Sequence, residues 1–256
     1  MLPFDDGDSA RRLARTYATP DVVGQRRRTL ELLDVRPGER VLDVGTGPGQ
    51  LLEALAEAAG RSGTAVGTDP SPAMAALARE RCGDRAVVHE GGVDGPGSLP
   101  DGPFDALTCT QVMEYVPDVP AALREFARVL RPGGRVLVLD TDWDSAVWHV
   151  SDRDRHRRVM DAWDDHLAHP RLPCTLGPLL REAGFDDVRV DVIPLLNPVW
   201  DPETFSGGMV RMIAGYVPGH RGVTGDEARD WLADVTERPD YFFSLNRYCF
   251  RAVRPG

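Results

Sequence analysis

The residues whose types and spacing carry the clearest chemistry are Asp43-Val-Gly45-Thr46-Gly47-Pro-Gly49. The run follows Arg40–Val44, which reads as a short buried strand, and precedes a segment at helical spacing. Glycines at such a bend permit positive φ and let a ligand approach the backbone closely. A helix start adds N–H donors and a positive dipole end, which suit a carboxylate or phosphate. Two cofactor classes compete for the bend. A dinucleotide fingerprint, G-x-G-x-x-G/A, needs a small residue where Gln50 stands. The spacing found is G-x-G-x-G, with an acid two residues before the first glycine. A diphosphate would be repelled by a buried Asp43. A cofactor bearing a sulfonium and an ammonium, such as S-adenosylmethionine, would be attracted. About twenty residues further on, Asp69 ends Val66-Gly-Thr-Asp69-Pro70, where a carboxylate can accept both ribose hydroxyls of either cofactor. Without a ligand the loop would be a tight strand-to-helix turn and Asp69 a turn or cap aspartate.

A second constellation lies just beyond Arg135–Asp140: Asp142, Trp143, Asp144, Trp148 and His149. Ligands of open α/β sheets bind outside the carboxyl ends of the strands, which puts this stretch near a site. His149 is the candidate general base, since an imidazole titrates near neutrality; the bland alternative is a surface or capping histidine. Asp142 is a second catalytic candidate or a loop cap. Trp143 and Trp148 either stack on an aromatic acceptor or fill the core. Glu114 and Tyr115 follow the fourth strand, and Tyr115 either orients an acceptor or packs. Asn246 and Arg247 interrupt an apolar last strand, so one of them is expected to face the pocket or solvent, where Arg247 would suit a substrate carboxylate. His156, His166 and His169 show no converging ligand pattern, and no metal site is expected.

These residues need a frame. Residues 20–34 read as a helix with Val22, Val23, Leu30 and Leu33 available for an apolar face. Strands at Arg40–Val44, Thr64–Thr68, Arg85–His89, Phe104–Thr110 and Arg135–Asp140 alternate with helices at Pro48–Ala59, Ser71–Cys82 and Val119–Leu130. Ser71 suits an N-cap and Pro72 the first helical position. Such alternation means right-handed βαβ units and a parallel sheet. Downstream come helices at Asp152–Ala168 and Cys174–Ala183, a strand at Val188–Ile193, one or two helices in 201–238 with Thr224 as a cap, and a last strand at Tyr241–Val253. The expected organisation is one domain over 1–256. Residues 1–35 form an N-terminal helical cap, 36–140 the cofactor-binding core, and 141–184 and 197–240 insertions that build a lid or substrate pocket.

Composition narrows the class. The chain has 256 residues, ample for a core without staples, and 42% are hydrophobic. The formal net charge is −10, which argues against a nucleic-acid or anionic-membrane partner. Arg26-Arg27-Arg28 reads as the solvated face of a helix. Cys82, Cys109, Cys174 and Cys249 are scattered and form no C-x-x-C pair, so reduced thiols in a cytoplasm are expected. The first eight residues lack an apolar core, so no secretory leader is expected, and no run is long enough to span a bilayer.

An ordered set of segments then resembles class I S-adenosylmethionine-dependent methyltransferases, in particular the ubiquinone/menaquinone-biosynthesis branch. They are Arg36-Pro-Gly-Glu-Arg-Val-Leu-Asp-Val-Gly-Thr-Gly-Pro-Gly49, Gly67-Thr-Asp-Pro-Ser-Pro-Ala-Met74, Leu99-Pro-Asp-Gly-Pro-Phe-Asp105, Val116-Pro-Asp118 and Glu125-Phe-Ala-Arg-Val-Leu-Arg-Pro-Gly-Gly134. The resemblance implies a Rossmann-like, seven-stranded, mostly parallel sheet with an antiparallel last strand and helices on both faces. It implies that Asp43, Gly45, Thr46, Gly47 and Gly49 lie along the methionine moiety, that Asp69 holds the ribose, and that Pro70 and Met74 flank the adenine. Thr110 and Tyr115 would line the sulfonium side, and Tyr17 would close over the cofactor. The family's usual adenine-binding acid is replaced here within Glu90-Gly-Gly92-Val93-Asp94: either Asp94 takes over, or a backbone contact around Gly92 and Val93 does. The stretch 140–149 is similar to a subgroup linked to arsenite or quinone methylation, but the scattered cysteines give arsenite chemistry no support. The expected activity is methyl transfer to an O, N or C atom of a small molecule, with a homodimer as the candidate assembly. The alternatives are an S-adenosylmethionine-binding protein without transfer activity and, less favoured by Gln50 and Asp43, an NAD(P)-dependent oxidoreductase.

Overall fold

In the computed structural model, residues 7–93, 95 and 97–256 are described, the side chains of 7–10 and 12 lying outside that description. Beyond Arg40, strand β1 (Arg40–Val44) is apolar except for the carboxyl of Asp43 and is buried throughout, because it pairs in parallel on both sides, with β2 (Thr64–Asp69) and β4 (Phe104–Thr110). Parallel strands covered on both faces read as continuous apolar runs rather than alternating ones. With β3 (Ala86–Glu90), β5 (Leu130–Thr141), β6 (Val147–Trp148), β7 (Asp186–Asn197) and β8 (Phe243–Val253), the sheet runs β3-β2-β1-β4-β5-β8, and β6 and β7 both pair with β8. The last strand is antiparallel to β5, as expected, with Thr141 opposite Arg247.

The sheet has eight strands where seven were expected. The extra one, β6, is two residues long and forms because Val147 and Trp148 pass beside Ser244 and Phe243. Two residues carry no alternation, so nothing in the sequence pattern marks them.

Helices cover both faces. Leu137 and Leu139 of β5 pack with Leu33 and Leu55 toward α2 (Pro20–Leu33) and α3 (Gln50–Ala59). The intervening Val136 and Val138 join Phe126 and Leu180, on α5 (Val119–Val129) and α7 (Pro173–Glu182). The period-2 reversal of a strand thus feeds two cores. Helix α4 (Pro72–Cys82) starts as its sequence dictates: Ser71 Oγ accepts from Met74 N–H at 3.4 Å, with Pro72 in the first turn.

Beyond the carboxyl ends of the strands stands a second core. It joins α6 (Arg153–Trp163), α8 (Phe205–Tyr216) and α9 (Gly225–Thr236) around buried Trp163, Trp231, Phe205 and Phe243. Thr224 caps α9, its Oγ1 accepting from Glu227 N–H at 3.1 Å. The sequence-drawn insertion 141–184 includes α7, yet α7 packs on α5, β7 and β8 as a helix of the sheet. The apolar face of α2 is also rotated from the expected one. Val22, Gln25, Thr29 and Leu33 are buried, whereas Val23 and Leu30 are only partly so. Among the described residues no helix is long and apolar enough to cross a membrane.

Candidate active site

A cavity of about 380 Å³ opens at the carboxyl ends of β1, β2 and β4, beneath α2 and α1 (Gly7–Thr16). That lies in the roughly 300–1,000 Å³ range of small-molecule sites. Two sides can be told apart. One holds Gly45, Thr46, Gly47, Asp69, Pro70 and Met74; the other holds Gln25, Thr110, Gln111, Tyr115 and Arg247.

The glycine bend is built by two different needs. Gly45 has φ +70° and a Cβ there would collide with the Val112 side chain, so the loops after β1 and β4 meet only because Gly45 has no side chain. Gly49 has φ +84° and a Cβ there would lie 2.8 Å from Ala78 Cα. Gly49 is not on the cavity wall; it lets α3 pack on α4. The spacing G-x-G-x-G therefore mixes contact between two loops with helix packing.

The N–H groups of the bend are already taken. Gly45 and Thr46 donate to Thr68 O at 2.8 and 2.9 Å, Gly47 to Asp69 Oδ2 at 2.8 Å, and Gly49 to Thr46 O at 3.1 Å. A diphosphate cradle needs such donors turned toward the ligand. Here they are spent on the fold, and the acids stand close by. Asp69 also accepts from Ser71 N–H at 2.9 Å, through Oδ1. Asp43 is buried behind the loop, off the cavity wall, and Thr46 Oγ1 donates to its Oδ2 at 2.7 Å. Burial, opposed by that hydrogen bond and reinforced by Asp69, pushes the Asp43 carboxyl up to about 7. Gln50, which spoils a dinucleotide fingerprint, serves the cap over the site instead. Its Nε2 donates to Ala14 O at 3.0 Å and ties α1 over the cavity. Tyr17 follows α1 into the cavity, where Arg26 Nη1 donates to its carbonyl at 3.3 Å. Burial pushes the Tyr17 hydroxyl up to about 12.

The residues present fit S-adenosylmethionine. The Asp69 carboxylate on the wall could accept ribose hydroxyls, the apolar Pro70, Met74 and Val93 offer a slot for a base, and Asp43 behind the loop adds a second acid that would favour a cation. Gly92 and Val93 line the cavity, so a backbone contact to the base has its residues in place; Asp94 lies outside the described residues.

The other side is ordered by a chain of hydrogen bonds. Arg247 Nη1 donates to Gln25 Oε1 and its Nε to Thr141 Oγ1 at 3.3 Å; Thr141 Oγ1 donates to Gln111 Oε1 at 2.7 Å. Gln111 is held at φ +57°, a backbone conformation that side chains rarely adopt and that clusters at functional sites. Tyr115 lines this side, and burial, with the Glu114 carboxylate, holds its hydroxyl well above the usual phenol range. Glu114 is buried behind it, accepting from Trp143 Nε1 at 2.9 Å; burial raises it to about 7 against that bond and the charge of Arg247. Asp140 is buried beside Glu114 and is likewise raised, by burial and then by the charge of Glu114.

The stretch after β5 is placed otherwise than its sequence suggested. His149 is exposed and off the cavity wall, its Nδ1 within 3.0 Å of Asp240 O. Asp142 caps the short turn Trp143–Ser145, accepting from Asp144 N–H at 3.3 Å, and is also off the wall. Trp143 and Trp148 belong to the second core. Arg26, expected in solvent, lines the cavity while Arg27 and Arg28 are exposed. Gln25, Gln111 and Thr141 were not singled out in the sequence. Their signal is weak: Gln25 and Thr29 are polar residues at the buried spacing of α2.

A Rossmann-like sheet of this order, with an acid and a glycine bend at its first crossover, defines a class I S-adenosylmethionine-dependent methyltransferase domain. Comparison agrees: the methyltransferase-domain family matches residues 12–190, and the chain belongs to it. It is 42% identical over 188 residues to the nocamycin O-methyltransferase of Saccharothrix syringae, covering 64% of this chain and 65% of that one. It is 38% identical over 184 residues to the ubiquinone/menaquinone biosynthesis C-methyltransferase of Burkholderia mallei, covering 63% and 73%. A solved structure of Haemonchus contortus phosphoethanolamine N-methyltransferase 2 with S-adenosyl-L-methionine shares the fold, with a TM-score of 0.63 at 18% identity over 98% of this chain and 58% of that one. The chain spans 48% to 65% of the length of the first curated relatives it matches.

Proposed function

We propose that the chain transfers a methyl group from S-adenosylmethionine to a small-molecule acceptor held between α2 and the loop after β4. One observation carries this: a single cavity runs from the ribose acid Asp69 and the glycine bend to the Arg247–Thr141–Gln111 chain without a break. When bound, the cofactor supplies a methyl group already activated by its sulfonium. What remains for the protein is alignment in a dry site. Asp69 holds the ribose, Asp43 favours the cationic end through its field, Tyr17 closes the cavity, and Tyr115 and Thr110 flank the methyl path. His149 and Asp142 have no part in this reading, because neither reaches the cavity. Helices α6, α8 and α9 act as the lid: their core includes Phe205, beneath Arg247, and Val22 of α2. The net charge of −10 favours a small acceptor over a nucleic acid. The O- and C-methyltransferase relatives support oxygen or carbon as the atom methylated.

Thermal unfolding with S-adenosylmethionine, S-adenosylhomocysteine and NADH tests the cofactor. A ligand at 100 times its Kd adds about 2.7 kcal/mol. Stabilisation by NADH alone defeats the reading. Transfer itself is tested with labelled S-adenosylmethionine and a panel of phenols, amines and carboxylates; silence across the panel favours a cofactor-binding protein that transfers nothing.

A further inference from the structure

Arg247 is out of place by composition. On β8 it stands in the row of Phe243, Leu245 and Cys249, which are apolar and buried, and it is itself only 3% exposed. A guanidinium taken out of water is costly unless a carboxylate or a set of hydrogen bonds compensates it. Among the described residues no carboxylate lies within 4.0 Å of it. Its hydrogen bonds go to neutral atoms, Gln25 Oε1 and Thr141 Oγ1, and its Cζ lies 4.7 Å over the Phe205 ring. Nη2 has no hydrogen-bond partner among the described residues, and Arg247 lines the cavity. Burial lowers its pKa, and Tyr17, Glu114, Asp140 and Asp21 oppose that through charge, none of the acids at ion-pair distance.

The same side of the cavity is poor in bases. Among the described residues the whole cavity lining holds no histidine, cysteine or glutamate, and its one carboxylate, Asp69, stands on the opposite side, holding the N–H groups of Gly47 and Ser71. Tyr17 and Tyr115 keep their protons at neutral pH. A cation with an open donor and no base beside it suits an acceptor that arrives without the proton.

We infer that the acceptor is an organic acid already ionised when it binds, and that Arg247 holds its anionic oxygen through Nη2. This rests on the methyl-transfer reading above. Transfer to such an acceptor forms an O–C bond from an oxygen lone pair while the S–C bond breaks and leaves its pair on sulfur. No proton moves, so the missing base is no defect. Arg26 is a second cation on the wall, but its charge is felt with Arg81 and Glu53, on the side of the glycine bend and α4. That makes it the better match for the cofactor's own carboxylate.

The experiment is a calorimetric titration of the protein saturated with S-adenosylhomocysteine. The probes are benzoate, 4-nitrophenol near its ionised range, and neutral benzamide. In the unmodified protein at least one anion binds tenfold or more tighter than benzamide, about 1.4 kcal/mol; which anion wins separates a carboxylate from an acidic phenol or enol. R247Q removes the preference and leaves S-adenosylhomocysteine affinity within about twofold. Should R247Q fail to fold, R247K serves: it keeps the charge, loses the fork, and lowers the anion affinity several-fold with cofactor affinity unchanged. Equal binding of benzoate, nitrophenol and benzamide, no anion binding at all, or an undiminished preference in the variant overturns the inference. So does a tenfold loss of S-adenosylhomocysteine affinity in R247Q, which would assign Arg247 to the cofactor. Failure of the unmodified protein to bind S-adenosylhomocysteine is a different result, and strikes the methyl-transfer reading instead.

Discussion

Asp69 Oδ2 accepts the N–H of Gly47 at 2.8 Å, so the acid that ends β2 also fixes the bend that follows β1. Its Oδ1 fixes Ser71, the cap of α4. One carboxylate therefore shapes the loop that it serves. The D69A variant is expected to lose S-adenosylhomocysteine affinity by about a hundredfold or more, some 2.7 kcal/mol. It also loses stability, by about 1–3 kcal/mol for each charge-assisted hydrogen bond left unmade, yet it stays folded because the parallel sheet does not depend on it. Calorimetry and a denaturant melt read the two effects separately; unchanged affinity would remove Asp69 from the ribose site.

The glycines of the bend should separate by experiment. At Gly49, alanine brings a Cβ 2.8 Å from Ala78 Cα at φ +84°, far from the ligand wall. G49A is expected to lower stability by about 1–3 kcal/mol through backbone strain and helix displacement. Cofactor affinity measured well below its melting temperature stays within a few-fold. At Gly45, alanine strikes Val112, which lines the cavity, so G45A loses affinity as well as stability. A G49A protein that melts normally but binds no cofactor would reverse these roles.

Much of this was legible in the sequence because the signals were local. Asp43 stood out as an acid two residues before the first glycine of the bend, and Ser71-Pro72 as a helix start. Order along the chain then fixed the sheet, since strand–helix alternation leaves few topologies. What stayed illegible depends on long-range placement. His149 and Arg247 flank the same sheet end in sequence terms, one after β5 and one within β8. The pairing of Trp148 with Phe243, their ring centroids 4.6 Å apart, turns Trp148 inward and its neighbour His149 outward. Gln25 and Thr29 lie outside the apolar set Val22, Val23, Leu30 and Leu33 that the sequence offers for a buried face. They are the buried face, because the neighbour there is a cavity and not a core.

Three buried carboxyls give the protein a pH dependence of definite sign. Asp43 and Glu114 are raised to about 7 by burial, and Asp140 is raised in the same direction. A raised carboxyl keeps its proton in the folded state where the unfolded chain has lost it, so stability falls as pH rises from about 4 to about 7. Binding of a cation near Asp43 favours the ionised form. The thermal shift given by S-adenosylmethionine should therefore grow over the upper part of that window, while the ligand-free melting temperature declines. D43N, which still accepts from Thr46, flattens the growth. Melts at several pH values with and without cofactor check it; a shift independent of pH in the unmodified protein would dissociate Asp43 from the cofactor's charge.

Trp143 and His149, two residues of one short stretch, meet opposite surroundings. Trp143 donates through Nε1 to Glu114 Oε2 at 2.9 Å, and both are buried, so the indole joins the helical core to the carboxyl behind Tyr115. Phenylalanine keeps most of the packing but leaves a buried carboxyl short of a donor. W143F is expected to lose about 1–3 kcal/mol, and Glu114 rises further because the bond that lowered it is gone. E114Q, neutral at every pH and still an acceptor, should restore much of that stability in the double variant. His149, six residues on, is exposed and bonded to Asp240 at the rim. H149A is expected to change stability by less than about 0.5 kcal/mol and to leave turnover on any acceptor found unaltered. A large loss of turnover in H149A with cofactor affinity intact would bring His149 back as a base, and would require the lid helices to move far enough to admit it.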